Sequence, residues 1–176
     1  MPADNPINDL ALAAIEANAQ AKVLQRSGTE LDQIPFSTLY AYVNDSQFRP
    51  PTNFSAQIDA DEKAQQNLDL LLEKASLAHM PMLAAASSGD TILRETDAAI
   101  IRLTPSKAEP EQVYLQVQMK DAGASMPLRL FVRKSGEQWI RMDLSKFVDA
   151  KVQELLLVND PVTQALNAPD SEVYLR

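Results

Sequence analysis

Between Glu111 and Phe147, apolar and polar side chains alternate in three successive runs, EQVYLQVQMKD, MPLRLFVRK and EQWIRMDL. In the first run Val113, Leu115, Val117 and Met119 share one face, and Tyr114, Gln116, Gln118 and Lys120 share the other. This is the period of a half-buried strand. Leu128, Leu130 and Val132 alternate with Arg129, Phe131 and Arg133 in the second run, as do Ile140, Met142 and Leu144 with Trp139, Arg141 and Asp143 in the third. Gly136 lies in the connection at 134–137, where it can take positive φ in a hairpin loop. Residues 121–124 form a second break, and Pro127 suits a strand start or edge. Together the runs predict an antiparallel meander.

Around it the pattern is mixed. Ala99, Ile101 and Leu103 alternate with Ile100, Arg102 and Thr104, which predicts a strand over 98–104. Residues 91–97 are ambiguous between helix and strand, and 31–43 between a strand and one or two helical turns. Residues 7–25 read as a helix whose stripe of Leu10, Ala13, Ala14, Ala17, Ala21 and Leu24 suits packing on the body or dimer formation. Asp59 and Glu62 have the form of a capping box for a helix running to Ala78 or Met80, with Ala64, Leu68, Leu71, Leu72, Ala75 and Ala78 on its apolar face. Ser145 is placed to cap a further helix over 146–158, stopped by Asn159, Asp160 and Pro161. The Pro50, Pro51 pair marks a loop over 44–58, residues 162–168 add a helical turn, and 171–175 read as an edge strand or a docking arm. The expected fold class is α+β: a four- or five-stranded mostly antiparallel sheet with helices packed on one face. We expect one domain over 1–176, with 1–6 and 169–176 as flexible or docking arms.

Composition narrows the chemistry. A chain of 176 residues can bury a real core without disulfides or metal. The absence of cysteine removes disulfides, thiol catalysis and Cys-ligated metals, and a single histidine, His79, removes multi-His metal sites within one chain. Net charge is -8, which opposes general affinity for phosphate backbones or anionic membranes. That charge is uneven: residues 1–88 carry 5 basic and 11 acidic groups, whereas 120–151 carry 7 basic and 4 acidic, a local balance of +3. The 4 glycines are scattered, so no glycine-rich phosphate cradle forms, and the usual nucleotide, metalloprotease, serine-hydrolase and calcium-loop motifs are missing. No cofactor is implied. Neither a secretory leader nor a membrane-length apolar run is present, so the expectation is a cytoplasmic protein if the chain is full length, and a periplasmic one if a leader has been removed.

One constellation suggests a site. If the three runs pair in order, Tyr114, Arg129, Phe131, Arg133, Trp139 and Arg141 stand together on one face, where guanidinium groups and rings could hold an anion or an acidic partner segment. Equally, helices could cover Phe131 and Trp139 and leave the arginines as a rim. His79 reads either as a hydrogen-bonded residue at a helix end or as a general base beside a pocket.

Arg129 to Lys134, Gly136, Trp139, Ile140 and Asp143 resemble the paired long strands and Gly-x-x-Trp turn of cystatin-like and NTF2-like small bacterial α+β proteins. The resemblance covers at most residues 60–147. It implies a cavity between helices and sheet, used for ligand binding, assembly or, in some members, catalysis by an Asp and His pair. The expected function is non-enzymatic protein–protein interaction or assembly, with a protein partner or a second copy, through a sheet face or edge. The alternative is a small-ligand-binding protein or cofactor-free enzyme with a pocket near His79. Neither nucleic acid binding nor membrane insertion is expected.

Overall fold

A computed structural model describes residues 33–81, 86–88 and 91–176. The stripe read over 7–25 lies outside the described residues. In chain order the elements are α1 (Phe36–Asn44), α2 (Phe54–Ala60), α3 (Glu62–Ala75), β1 (Ala78–Met80), β2 (Ala86–Ser88), β3 (Thr91–Glu95), β4 (Ala99–Pro105), β5 (Gln112–Met119), β6 (Arg129–Lys134), β7 (Ile140–Asp143), β8 (Lys151–Leu157), α4 (Pro161–Asn167) and β9 (Ser171–Leu175). The fold is α+β, as expected, with its strands divided between two antiparallel sheets. A five-stranded sheet runs in the order β2, β3, β4, β5, β8, and a four-stranded one in the order β1, β9, β6, β7.

The expected meander is therefore split. β5 pairs with β4 and β8, whereas β6 pairs with β7 and β9. Residues 120–128 carry the chain from one sheet to the other. Burial explains the division: β5 and β6 each have an apolar face, and two such faces are better desolvated stacked than side by side. Ile101, Leu103, Leu115 and Val117 meet Leu130, Val132, Val173 and Leu175 across the gap, and Val162 and Leu166 of α4 close one side.

Phe131, Trp139 and Tyr174, on the opposite face of the four-stranded sheet, pack beneath Leu39, Tyr42, Phe54, Leu68 and Leu72 of the first three helices. The described layers are thus helices, four-stranded sheet, five-stranded sheet. The outer face of the five-stranded sheet carries no described helix.

Several local expectations change for physical reasons. Residues 36–44 are helical, following Pro35, and bury Leu39, Tyr42 and Val43. The cap of α3 is Asp61, which accepts from the backbone N–H groups of Lys63 and Ala64, so the expected Asp59 box is displaced by two residues. The same helix stops at Ala75, because Ser76 turns to an extended conformation and Leu77 donates to the Leu175 carbonyl, starting a strand. Ser171–Leu175 is a central strand between β1 and β6, buried at four of its five positions.

The predicted helix over 146–158 is instead a tight hairpin and a strand. Val148 and Lys151 exchange N–H to C=O bonds of 2.8 and 3.0 Å, and the two residues between them, Asp149 and Ala150, have φ of 51° and 59°. Positive φ at both central positions is the signature of a primed two-residue turn. Pairing with β5 then outweighs the helical propensity of the leucine-rich run.

A buried arginine ties the layers together. Arg94 of β3, 1% exposed, donates to the carbonyls of Leu166, Ala168 and Ser171 and to the Ser171 hydroxyl over 2.6 to 3.3 Å. Burial pushes its pKa down. The orphan carbonyls at the end of α4 supply the acceptors that make this position tolerable for a cation.

Candidate functional site

Five of the six residues expected to form a binding face converge, and they hold the helical layer on the sheet. Arg129, 2% exposed, donates from Nη1 to the Val43 carbonyl at 2.9 Å, with Nε 3.4 Å from Asp143 Oδ1. Arg141 donates to the Tyr42 carbonyl at 2.9 Å and pairs with Asp143 at 2.8 Å. Arg176 donates to the Asn44 side-chain oxygen at 2.7 Å. Three guanidinium groups thus gather at the C-terminus of α1, where the helix dipole is negative. Burial and the neighbouring Arg141 push the Arg129 pKa down. The Tyr42 hydroxyl is pushed up to about 12 by burial, opposed by Arg141.

Phe131 is fully buried and meets Tyr42 edge to face at 5.7 Å. Trp139 is nearly buried, donates to Asp69 Oδ1 at 2.7 Å, and lies under the Arg133 guanidinium, 4.3 Å from its ring centre. Arg133 also pairs with Asp69 at 3.2 Å and with Glu172 at 3.3 Å. The helices therefore cover this face, and its arginines cap and clamp them. Tyr114 is separated from the other five: it stands on the outer face of the five-stranded sheet, opposite Thr104 and Leu155.

His79 sits on a strand and not at a helix end. Its Nε2 lies 2.8 Å from Glu172 Oε1, and its ring stacks on Tyr174 at 4.3 Å. Glu172 Oε1 also accepts from the Tyr174 hydroxyl at 3.1 Å. Burial, and then the charge of Glu172, push the Tyr174 pKa up. An open depression of about 790 Å³ includes Arg133 and Glu172 but is not lined by His79. Among the described residues no group of three His, Cys, Asp or Glu side chains is placed to hold a metal ion. No described helix is long and apolar enough to cross a membrane.

The uncovered surface lies on the opposite side of the molecule. Lys151, Gln153, Leu155 and Leu157 of β8 point outward, beside Gln118, Gln116, Tyr114 and Gln112 of β5. Leu155 is 53% and Leu157 51% exposed. At the other end of the strand, Arg102, Lys146 and Lys151 line a depression of about 430 Å³ with Gln116, Gln118 and Gln153. Its lining contains no carboxylate, and among the described residues these three cations form no ion pair.

Among the described residues the edge beside this surface is open. Met119 donates to Ala150 and Val158 to Glu111, which turns the even-numbered residues of β8 toward β5. The N–H and C=O groups of Gln153 and Leu155 consequently point away, to the side where no described strand pairs. The sequence pattern predicts a helix over 146–158 and so conceals this surface. The alternation of Gln153, Leu155 and Leu157 against Val152, Glu154 and Leu156 was the available signal.

No protein-family model, curated protein or solved structure matches this chain.

Proposed function

We propose that this protein is a non-enzymatic partner-binding module that uses the outer face and open edge of its five-stranded sheet. The observation that carries the reading is the pair of half-exposed leucines, Leu155 and Leu157, on a strand whose outward backbone groups pair with no described strand. Such an edge is a template for strand addition, and proteins ordinarily blunt it with charge, proline or a cover. Along the outward face of β8 the charge stands at one end, on Lys151; Glu154 belongs to the opposite face, beside Leu115, and accepts from the Ser145 N–H. Phe131 and Trp139 do not serve this role, since they are buried beneath helices.

The test is affinity capture from native extract by the natural chain and by L155D/L157D, followed by reconstitution of the captured protein with purified chain. Binding lost in the variant, with slowed hydrogen exchange over β8 in the natural chain, supports the reading. A captured protein that binds both chains equally, or protects another surface, overturns it.

A further inference from the structure

We propose that the occupant of this edge is an extended segment of a partner protein that ends in carboxylates. It would lie antiparallel to β8, with apolar side chains beside Leu155 and Leu157 and its acidic end in the depression formed by Arg102, Lys146 and Lys151. The inference rests on the partner-binding reading above and adds the chemistry of the partner.

Polarity along the strand carries the argument. Reading across the sheet, Lys151, Gln118 and Ile100 form one row, Gln153, Gln116 and Arg102 the next, and Leu155, Tyr114 and Thr104 a third. The surface therefore passes from cationic to apolar within a few residues. Cations without a counter-charge among the described residues are complementary to an anion, and a carboxylate satisfies guanidinium and ammonium donors together.

The hairpin fixes the direction. Val148 takes up the backbone groups of Lys151, so the edge is closed at that end and open from Gln153 onward. A strand added antiparallel to β8, like every described pairing in the sheet, runs from Leu157 toward Lys151 and delivers its C-terminal end to the cations. A second copy of this chain, pairing about Leu155, would set Gln153 against Leu157 and so oppose a polar side chain to an apolar one.

The test uses fluorescently labelled peptides of alternating valine and threonine that either end or begin with a run of glutamates, titrated against the natural chain and followed by anisotropy. The peptide with glutamates at its end is expected to bind, K146E/K151E to weaken it by about tenfold or more, and added salt to weaken it likewise. L155P is expected to abolish binding because it removes an outward donor, with circular dichroism confirming the fold. If L155P fails to fold, slowed hydrogen exchange at Gln153 and Leu155 in the natural chain supplies the same information. Equal binding of the two peptides, or indifference to K146E/K151E, overturns the inference. A chain that binds neither peptide but dimerises, and becomes monomeric as L155D in light scattering, identifies a second copy as the occupant. That result overturns the inference and leaves the partner-binding reading standing. A monomeric chain that binds neither peptide also overturns it.

Discussion

Arg129 donates to the carbonyl of Val43, 86 residues earlier, so a strand side chain in the second half of the protein closes the C-terminus of a helix in the first. Arg94 makes the corresponding closure at α4, with several donors in place of one. The two arginines are similarly buried and differ in how completely they are satisfied, since Arg129 Nε and Nη2 have no hydrogen-bond partner.

That difference predicts unequal costs. R94M strands the Leu166, Ala168 and Ser171 carbonyls, and urea denaturation is expected to register a loss of about 3 kcal/mol or more. R129M removes one hydrogen bond together with an incompletely compensated charge, so its loss should be closer to about 1 kcal/mol. Equal losses would refute the claim that satisfaction decides.

Trp139 is predicted to matter for stability. W139A should cost about 3 to 5 kcal/mol through the cavity it leaves, whereas W139F, which keeps most of the ring and loses the bond to Asp69, should cost about 1 to 2. D69N keeps an acceptor for the indole and loses the charge facing Arg133. Thermal denaturation of the three variants checks the order.

The hairpin at Asp149 and Ala150 holds two ordinary residues in the left-handed region. A150G is expected to stabilise the protein by about 0.5 to 1 kcal/mol, because relief of strain exceeds the added freedom of the unfolded chain. D149N/A150G, which installs the sequence preferred by a primed turn, should do at least as well. A decrease in midpoint for both variants would contradict the turn.

Alkali should weaken the helical layer. The Tyr42 pKa is raised from 10.0 to about 12 in the folded state by burial, so the folded chain holds this proton more tightly than the unfolded chain. The resulting stability is complete below pH 10 and is lost as pH rises through about 12. Y42F should flatten that part of the stability profile and change little at neutral pH, as measured by thermal unfolding across the range.

The parts of the fold legible in the sequence were those set by local periodicity. The alternation in Val113–Met119, Leu130–Val132 and Ala99–Leu103 gave strands where strands occur, and Gly136 gave a turn whose φ is indeed positive, at 76°. Partner choice was not legible, because two apolar strand faces can lie side by side or stack, and only the sum of burial over both sheets decides. The candidate face illustrates the same limit. Arg129, Phe131, Arg133, Trp139 and Arg141 were correctly placed near one another, but the helices that cover them come from distant parts of the chain, and α1 itself was ambiguous. The outer surface was lost with the hairpin, since Asp149 and Ala150 carry no glycine to announce positive φ.

The position of β9 has a consequence for the order of assembly. It follows every other described strand in the chain, yet it lies between β1 and β6, which have no pairing to each other without it. In the five-stranded sheet β2 to β5 can zip up from sequence neighbours and only β8 joins from a distance, whereas the four-stranded sheet must wait for residues 171–175 to be inserted. Until then Phe131 and Trp139 lack Tyr174, and the helices have an incomplete floor to settle on. A growing chain therefore passes, between the completion of β8 at Leu157 and the arrival of β9 at Ser171, through half a sandwich, with the apolar inner face of a finished sheet exposed and awaiting its last strand.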